Sequence, residues 1–190
     1  MTGLFFGTFN PIHIGHLILA QHLYFHQKLE SVWFVVSPQN PFKQKHKVVD
    51  KYERLHMVNL AIEDCAYFKS SDLEFSLPTP SFTWDSLQAF KEQFPENQFT
   101  LIVGSDSLQN MHRWKNGEDI LEKESILVYP RPGHPPAAHF FERENITIAD
   151  APLMDISSTL IRDSIRKNKP QHFFLSEKVW RHVNKELLYK

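Results

Sequence analysis

Gly3-Leu4-Phe5-Phe6-Gly7-Thr8-Phe9-Asn10-Pro11-Ile12-His13-Ile14-Gly15-His16 opens with an apolar run, passes through a turn and enters a helix. Residues 3–6 read as a short strand leaving into Gly7-Thr8. Over residues 14–27, Leu17, Ile18, Gln21, Tyr24 and Phe25 fall at helical spacing and predict a mostly apolar face. In an open parallel sheet, ligands bind beyond the carboxyl ends of the strands, at such a strand-to-helix turn. Gly7 permits close approach of the backbone or a positive φ, and Gly15 lets the start of the helix approach the same ligand. The free N–H groups of a helix N-terminus make an anion site. His13 and His16 flank Gly15 and can donate to phosphate oxygens. Two histidines three apart could also be half of a metal site. No third ligand follows at metal spacing, and a metal would leave the glycines unexplained, so phosphate binding is the better reading.

Farther along, residues 32–37 (Val-Trp-Phe-Val-Val-Ser) form a continuous apolar run, the pattern of a strand buried on both faces. Further strands are expected at 68–75, 100–103, 125–129 and 146–149. Helices are expected at 51–64, from about Thr83 with Trp84, Leu87, Phe90 and Phe94 on one face, at 158–167 and at 176–188. Strands alternating with helices imply a parallel sheet covered on both faces.

The 190 residues suit one domain, and 42% hydrophobic with 23% charged residues is a globular balance. Lys+Arg 21 against Asp+Glu 22 leaves a net charge of −1, which argues against a nucleic-acid binder relying on a basic surface. A single cysteine, Cys65, excludes an internal disulfide framework and a Cys-rich zinc site. No apolar stretch approaches the ~20 residues of a membrane span. No signal peptide is visible, and a cytoplasmic location without membrane association is expected. The oligomeric state is left open, a homo-oligomer included.

Near the other end, Ile156-Ser157-Ser158-Thr159-Leu160-Ile161-Arg162 opens a helix. Ser157 or Ser158 suits the N-cap, and the next turn offers N–H groups, hydroxyls and the Arg162 guanidinium, together able to clasp a polyphosphate.

The first segment closely resembles the nucleotidyltransferase signature G-T-F-D-P-x-H-x-G-H, with Asn10 in place of the usual Asp and Phe6 where relatives often carry a glycine. The later segment is similar to the superfamily's Ile-Ser-[Ser/Thr]-Thr-x-x-Arg. Its flank, Leu153-Met154-Asp155-Ile156, lacks the arginine and glycine typical of cytidylyl-transferring relatives, which favours ATP over CTP. Three further stretches resemble nicotinate-nucleotide adenylyltransferases: Pro80-Ser81-Phe82-Thr83-Trp84, Gly104-Ser105-Asp106-Ser107 followed by Trp114, and Ser37-Pro38-Gln39-Asn40-Pro41-Phe42-Lys43. Phe42 there replaces the family's histidine.

The resemblance implies a Rossmann-like doubly wound parallel sheet, with residues 1–190 forming a single α/β nucleotidyltransferase domain. It implies transfer of AMP from ATP to nicotinate mononucleotide, with Mg²⁺ arriving on ATP and no protein metal site. The catalytic residues would be His13, His16 and Arg162. Gly7, Thr8, Phe9, Gly15, His16, Gly104, Asp106, Ile156, Ser157, Ser158 and Arg162 would bind ATP. Thr8, Asn40, Lys43, Thr83, Trp84 and Trp114 would bind the acceptor, its ring on Trp114 and its carboxylate on N–H groups near Thr83 and Trp84. Nicotinamide mononucleotide and phosphopantetheine are alternative acceptors. A non-catalytic nucleotide sensor is the reading from another class, although it could dispense with His13, His16 or Arg162.

Overall fold

All six strands pair in parallel, and the interior ones carry the apolar runs that a two-sided sheet needs, whereas the edge strand at Phe68–Ser71 has a single buried apolar residue. The computed structural model describes residues 1–38, 48–170 and 172–190. The strands β1 (Thr2–Gly7), β2 (Ser31–Val36), β3 (Phe68–Ser71), β4 (Phe99–Gly104), β5 (Ile126–Tyr129) and β6 (Ile146–Ile148) lie in the order β3-β2-β1-β4-β5-β6. The order reverses between β1 and β4, so the crevice outside Gly7 and Gly104 is the switch point at which doubly wound sheets bind ligands.

Alternation along the strands divides the apolar residues between two faces. Phe5, Phe34, Ile102 and Leu127 join a core with α1 (Ile14–His26), α2 (Lys51–Ile62), α6 (Ser158–Arg166) and α7 (Glu177–Lys185). Leu4, Trp33, Val35, Leu101, Val103 and Val128 face the opposite way, against α3 (Thr83–Gln93), α4 (Ser105–Gln109) and α5 (Gly117–Lys123). Among the described residues no helix is long and apolar enough to cross a membrane.

Three expectations need correcting. The face α1 buries is Gly15, Leu19, Ala20 and Leu23, while Ile18 and Phe25 are exposed. Apolar residues encircle most of this helix, so spacing alone did not fix its rotation; docking on β1 and β2 did. The strand expected over 68–75 pairs with β2 only as far as Ser71, then turns through a 3-10 segment, Leu73–Ser76, that carries Glu74 inward. As an edge strand, β3 has a single neighbour to hold it extended. The short helices α4 and α5 are additional, and the last helix stops at Lys185 instead of reaching residue 188.

Candidate active site

The turn after β1 is shaped by packing of its own residues. Left-handed backbone falls on Phe9 (φ 47°), not on Gly7. A Cβ on Gly7 would lie 2.7 Å from the Phe9 ring, so the glycine's role is to admit that ring. Phe9 is buried, packs edge-on to Phe5, Phe34 and His16, and thereby forms the floor under His16. A bulky residue in this region costs about 1–3 kcal/mol, which the ring's burial offsets.

Four elements hold the turn from outside. The guanidinium of Arg54, on α2, donates through Nη1 to Thr8 O (2.6 Å) and Ser37 O (2.7 Å). It also donates through Nη2 to Pro38 O and through Nε to Val49 O, both at 2.8 Å. On α6, Arg162 Nη1 donates to Asn10 O (2.8 Å) and Nη2 to Thr159 Oγ1 (3.1 Å). The Ser158 hydroxyl donates to Pro11 O (2.9 Å), while Ser157 is the N-cap, accepting from Leu160 N–H. The Asn10 side chain accepts from Val49 N–H and from the Tyr189 hydroxyl.

These contacts bring the N-termini of α1 and α6 to one cleft of about 700 Å³. Of the sequence-derived residues, Gly7, Thr8, Phe9, His13, Gly15, His16, Asp106, Ile156, Ser157, Ser158 and Arg162 line it. His13 is the N-cap of α1, and its N–H donates to His16 Nδ1 (3.2 Å). A backbone N–H can only donate, so that Nδ1 is unprotonated and the His16 proton sits on Nε2. The two imidazoles stack at 3.6 Å. His13 is 5% exposed, and its Nδ1 has no hydrogen-bond partner among the described residues. Burial, with the Arg131 guanidinium adding to it, lowers the His13 pKa to about 4, so the ring is neutral at pH 7.

This depressed pKa has a measurable consequence. Unfolded, His13 titrates near 6.5; folded, it refuses the proton down to about 4. The unfolded state therefore binds more protons in that window, and stability falls as pH drops through it. Comparing His13→Gln with the wild type, the free-energy difference should move in the variant's favour by up to about 1.4 kcal/mol per pH unit below 6.5. Urea unfolding at pH 7, 6 and 5 tests this; a difference constant with pH would mean that His13 protonates freely in the fold.

A second pocket of about 170 Å³ adjoins the cleft, sharing Phe5, Phe6, Gly7, Ser107 and Tyr129 with it. Thr83, Trp114 and Gly104 line this smaller pocket, and Gly104 does not line the larger cleft. Trp84 does not line it; its side chain packs, half-buried, against the second core. Thr83 is the first residue of α3, whose N-terminus faces the pocket. Asn40 and Lys43 lie outside the described residues.

Several site residues were not anticipated. Arg131 lines the cleft, its Nε 3.8 Å from Asp106 Oδ1. Its signal was its place just beyond the carboxyl end of β5. Asp106 itself sits within the first turn of α4, with Gly104 as the N-cap. Lys115 lines the smaller pocket and pairs with Asp85 (2.8 Å). Glu74 also lines it, buried, accepting from Ser81 Oγ (2.8 Å) and Ser86 Oγ (2.5 Å), with the Ser37 side chain as a third partner. Burial raises the Glu74 pKa and the three hydroxyls oppose the rise. Arg54 stands with Val58 and Ile62 on the buried face of α2, and an arginine on that stripe was the sign that it is held by polar partners.

The described residues contain no group of three or more His, Cys, Asp or Glu side chains able to hold a metal ion. The donors gathered at the cleft, His16, Arg162 and the N-termini of α1 and α6, are of the kind that can hold a polyphosphate.

Comparison with known proteins identifies the family. The cytidylyltransferase-like family matches residues 4–164. A Flavobacterium psychrophilum protein named probable nicotinate-nucleotide adenylyltransferase is 46% identical over 99% of this chain and 98% of its own. A Christiangramia forsetii protein of the same name is 47% identical over 99% and 97%. The solved structure of Plasmodium falciparum nicotinic acid mononucleotide adenylyltransferase complexed with NaAD superposes with a TM-score of 0.81, covering 99% of this chain and 96% of that one. At 19% identity it speaks for the fold alone. The chain belongs to the cytidylyltransferase-like family and, within it, to the nicotinate-nucleotide adenylyltransferases.

Proposed function

We propose that this protein transfers the AMP moiety of ATP to nicotinate mononucleotide, releasing pyrophosphate and forming nicotinate adenine dinucleotide for NAD biosynthesis in the cytoplasm. The observation that carries the reading is the junction of two cavities at Gly7. The larger one gathers His13, His16, Arg162 and two helix N-termini; the smaller holds Trp114 and the start of α3.

The nucleophile is a phosphate monoester with a second pKa of about 6, already mostly dianionic at pH 7. It needs no general base. The barrier lies in bringing two anions together and in accommodating charge on the α-phosphate and the departing pyrophosphate. Holding both substrates in line can supply ~7–11 kcal/mol. Donors fixed in advance, His16 Nε2–H and the Arg162 guanidinium among them, supply about 3–4 kcal/mol each where they meet developing charge. Mg²⁺ enters as part of the substrate, MgATP.

In the smaller pocket an electron-poor pyridine ring gains from the Trp114 face. Free N–H groups at the N-terminus of α3 suit a carboxylate, whereas a carboxamide would need an acceptor for its NH₂. Trp114→Ala is expected to raise the KM for the pyridine nucleotide at least about ten-fold, in line with losing one aromatic stack and its burial. The KM for ATP should stay within about two-fold. Equal effects on both would remove Trp114 from the acceptor site.

The function is tested by supplying MgATP with nicotinate mononucleotide, nicotinamide mononucleotide or phosphopantetheine, separating the products and counting pyrophosphate. Dinucleotide made chiefly from the nicotinate form supports the proposal. Product chiefly from the amide would retain the chemistry and overturn the carboxylate reading of α3. Binding of ATP with no product from any acceptor would indicate a sensor.

A further inference from the structure

Beyond α7 the chain turns back on itself. Leu187 and Tyr189 both adopt left-handed backbone (φ 53° and 69°), and Leu188 N–H returns to Val183 O (3.0 Å). These turns carry Tyr189, 9% exposed, into the first core beside α1 and α2. Its hydroxyl donates to Asn10 Oδ1 at 2.9 Å, across 179 positions of sequence. Val49 N–H points to the same atom at 3.4 Å. A backbone N–H requires an acceptor, so this fixes Oδ1 toward Tyr189 and turns the Asn10 NH₂ the other way. The backbone carbonyl of Asn10 is the acceptor on which Arg162 Nη1 rests. Asn10 and Arg162 both line the larger cleft, whereas neither lines the smaller pocket, and Tyr189 lines neither.

We propose that Tyr189 is a positioning residue of the nucleotide site. Resting on the proposed function for the identity of the cleft's ligand, it locks the Asn10 side chain in one orientation and, through the Asn10 backbone, sets where Arg162 presents its guanidinium to the phosphates of ATP. The turn that carries Tyr189 is thereby part of the ATP site without touching ATP. Burial raises the Tyr189 pKa against the opposing pull of Arg162 and Arg54, so the phenol keeps its proton and remains a donor. With an Asn at position 10, the hydroxyl meets a neutral acceptor that can be buried without leaving a charge unpaired, and Asn10 is indeed buried.

The test is a double-mutant cycle on Tyr189→Phe and Asn10→Ala, read by calorimetric titration with MgATP and by steady-state kinetics for both substrates. Tyr189→Phe keeps the ring in the core and deletes only the hydroxyl. Each single variant should weaken MgATP binding about ten-fold, the cost of leaving one buried polar partner unmade. The double variant should be no weaker than the poorer single one, because both remove the same contact. The KM for the acceptor should stay within about two-fold in all three.

Wild-type MgATP affinity in Tyr189→Phe, additive losses in the double variant, or an acceptor KM rising in parallel would each overturn the proposal. Should Tyr189→Phe melt early, Asn10→Ala carries the test, since it leaves the tail's packing in place; unchanged MgATP affinity there overturns it too. The calorimetric arm needs no acceptor, so a wild type that binds MgATP yet makes no dinucleotide would remove the proposed function while the cycle still decides the coupling.

Discussion

Replacing His16 with alanine is expected to lower turnover by two to three orders of magnitude and leave the protein folded. The ring is only half-buried, stacked on His13 and edge-on to Phe5 and Phe9, so its removal empties little core volume. What is lost is a donor whose orientation is set in advance. The His13 N–H occupies Nδ1 and leaves the proton on Nε2, so the imidazole need not reorganise when charge develops on a phosphate. Deleting one such donor costs about 10²–10³ in kcat in comparable sites. If the contact forms mainly in the transition state, kcat and kcat/KM fall together while the KM for ATP stays close to that of the wild type. Stopped-time assays of pyrophosphate release, with circular dichroism to verify the fold, decide it. Near-normal kcat in a folded His16→Ala protein would take His16 out of transition-state stabilisation.

Arg54→Leu should be the most damaging substitution away from the phosphates. Arg54 is 1% exposed and donates to four backbone carbonyls, those of Thr8, Ser37, Pro38 and Val49. Leucine fills part of the volume but takes the guanidinium's donors from four half-buried carbonyls. Each orphaned group costs about 1–3 kcal/mol, relieved in part because a buried charge no longer has to be desolvated. A net loss of about 3–5 kcal/mol is expected, a large share of the 5–15 kcal/mol by which domains are stable. For a chain of this length that lowers the melting temperature by about 10 °C or more. Activity should fall further than stability, since Thr8 and Pro38 border the cleft. Arg54→Lys keeps the charge but has a single nitrogen that cannot reach four carbonyls, and should fall between the two. Calorimetric melting of all three proteins tests the order; a leucine variant melting within about 2 °C of wild type would show that water or backbone shifts replace the guanidinium.

Much of this was legible where the cause is local. The apolar run of β2 had to be buried on both faces, and it lies inside the sheet beside β1. His13, Gly15 and His16 stand at the start of α1, and Ser157 and Ser158 at the start of α6, with Arg162 one turn further on. The anion-binding groups of a helix N-terminus belong to the turn that carries them, so sequence spacing alone could indicate them. The rotation of α1 was not legible, because its apolar residues run almost all the way round and leave Ile18 and Phe25 available to either side. Nor was the inward turn of Glu74, in a stretch whose composition suits a strand equally well.

Sequence by itself determined the alternation of strands and helices and the two helix-opening motifs by which the family is known, because each motif is built from residues within a few turns of one another. Tertiary structure alone decided which polar groups hold those turns in register. Arg54 reaches Thr8 across 46 positions, Arg162 reaches Asn10 across 152 and Tyr189 reaches it across 179. Those carbonyls and hydroxyls become obligatory partners only once the sheet has excluded water from between them, a condition that no local spacing encodes.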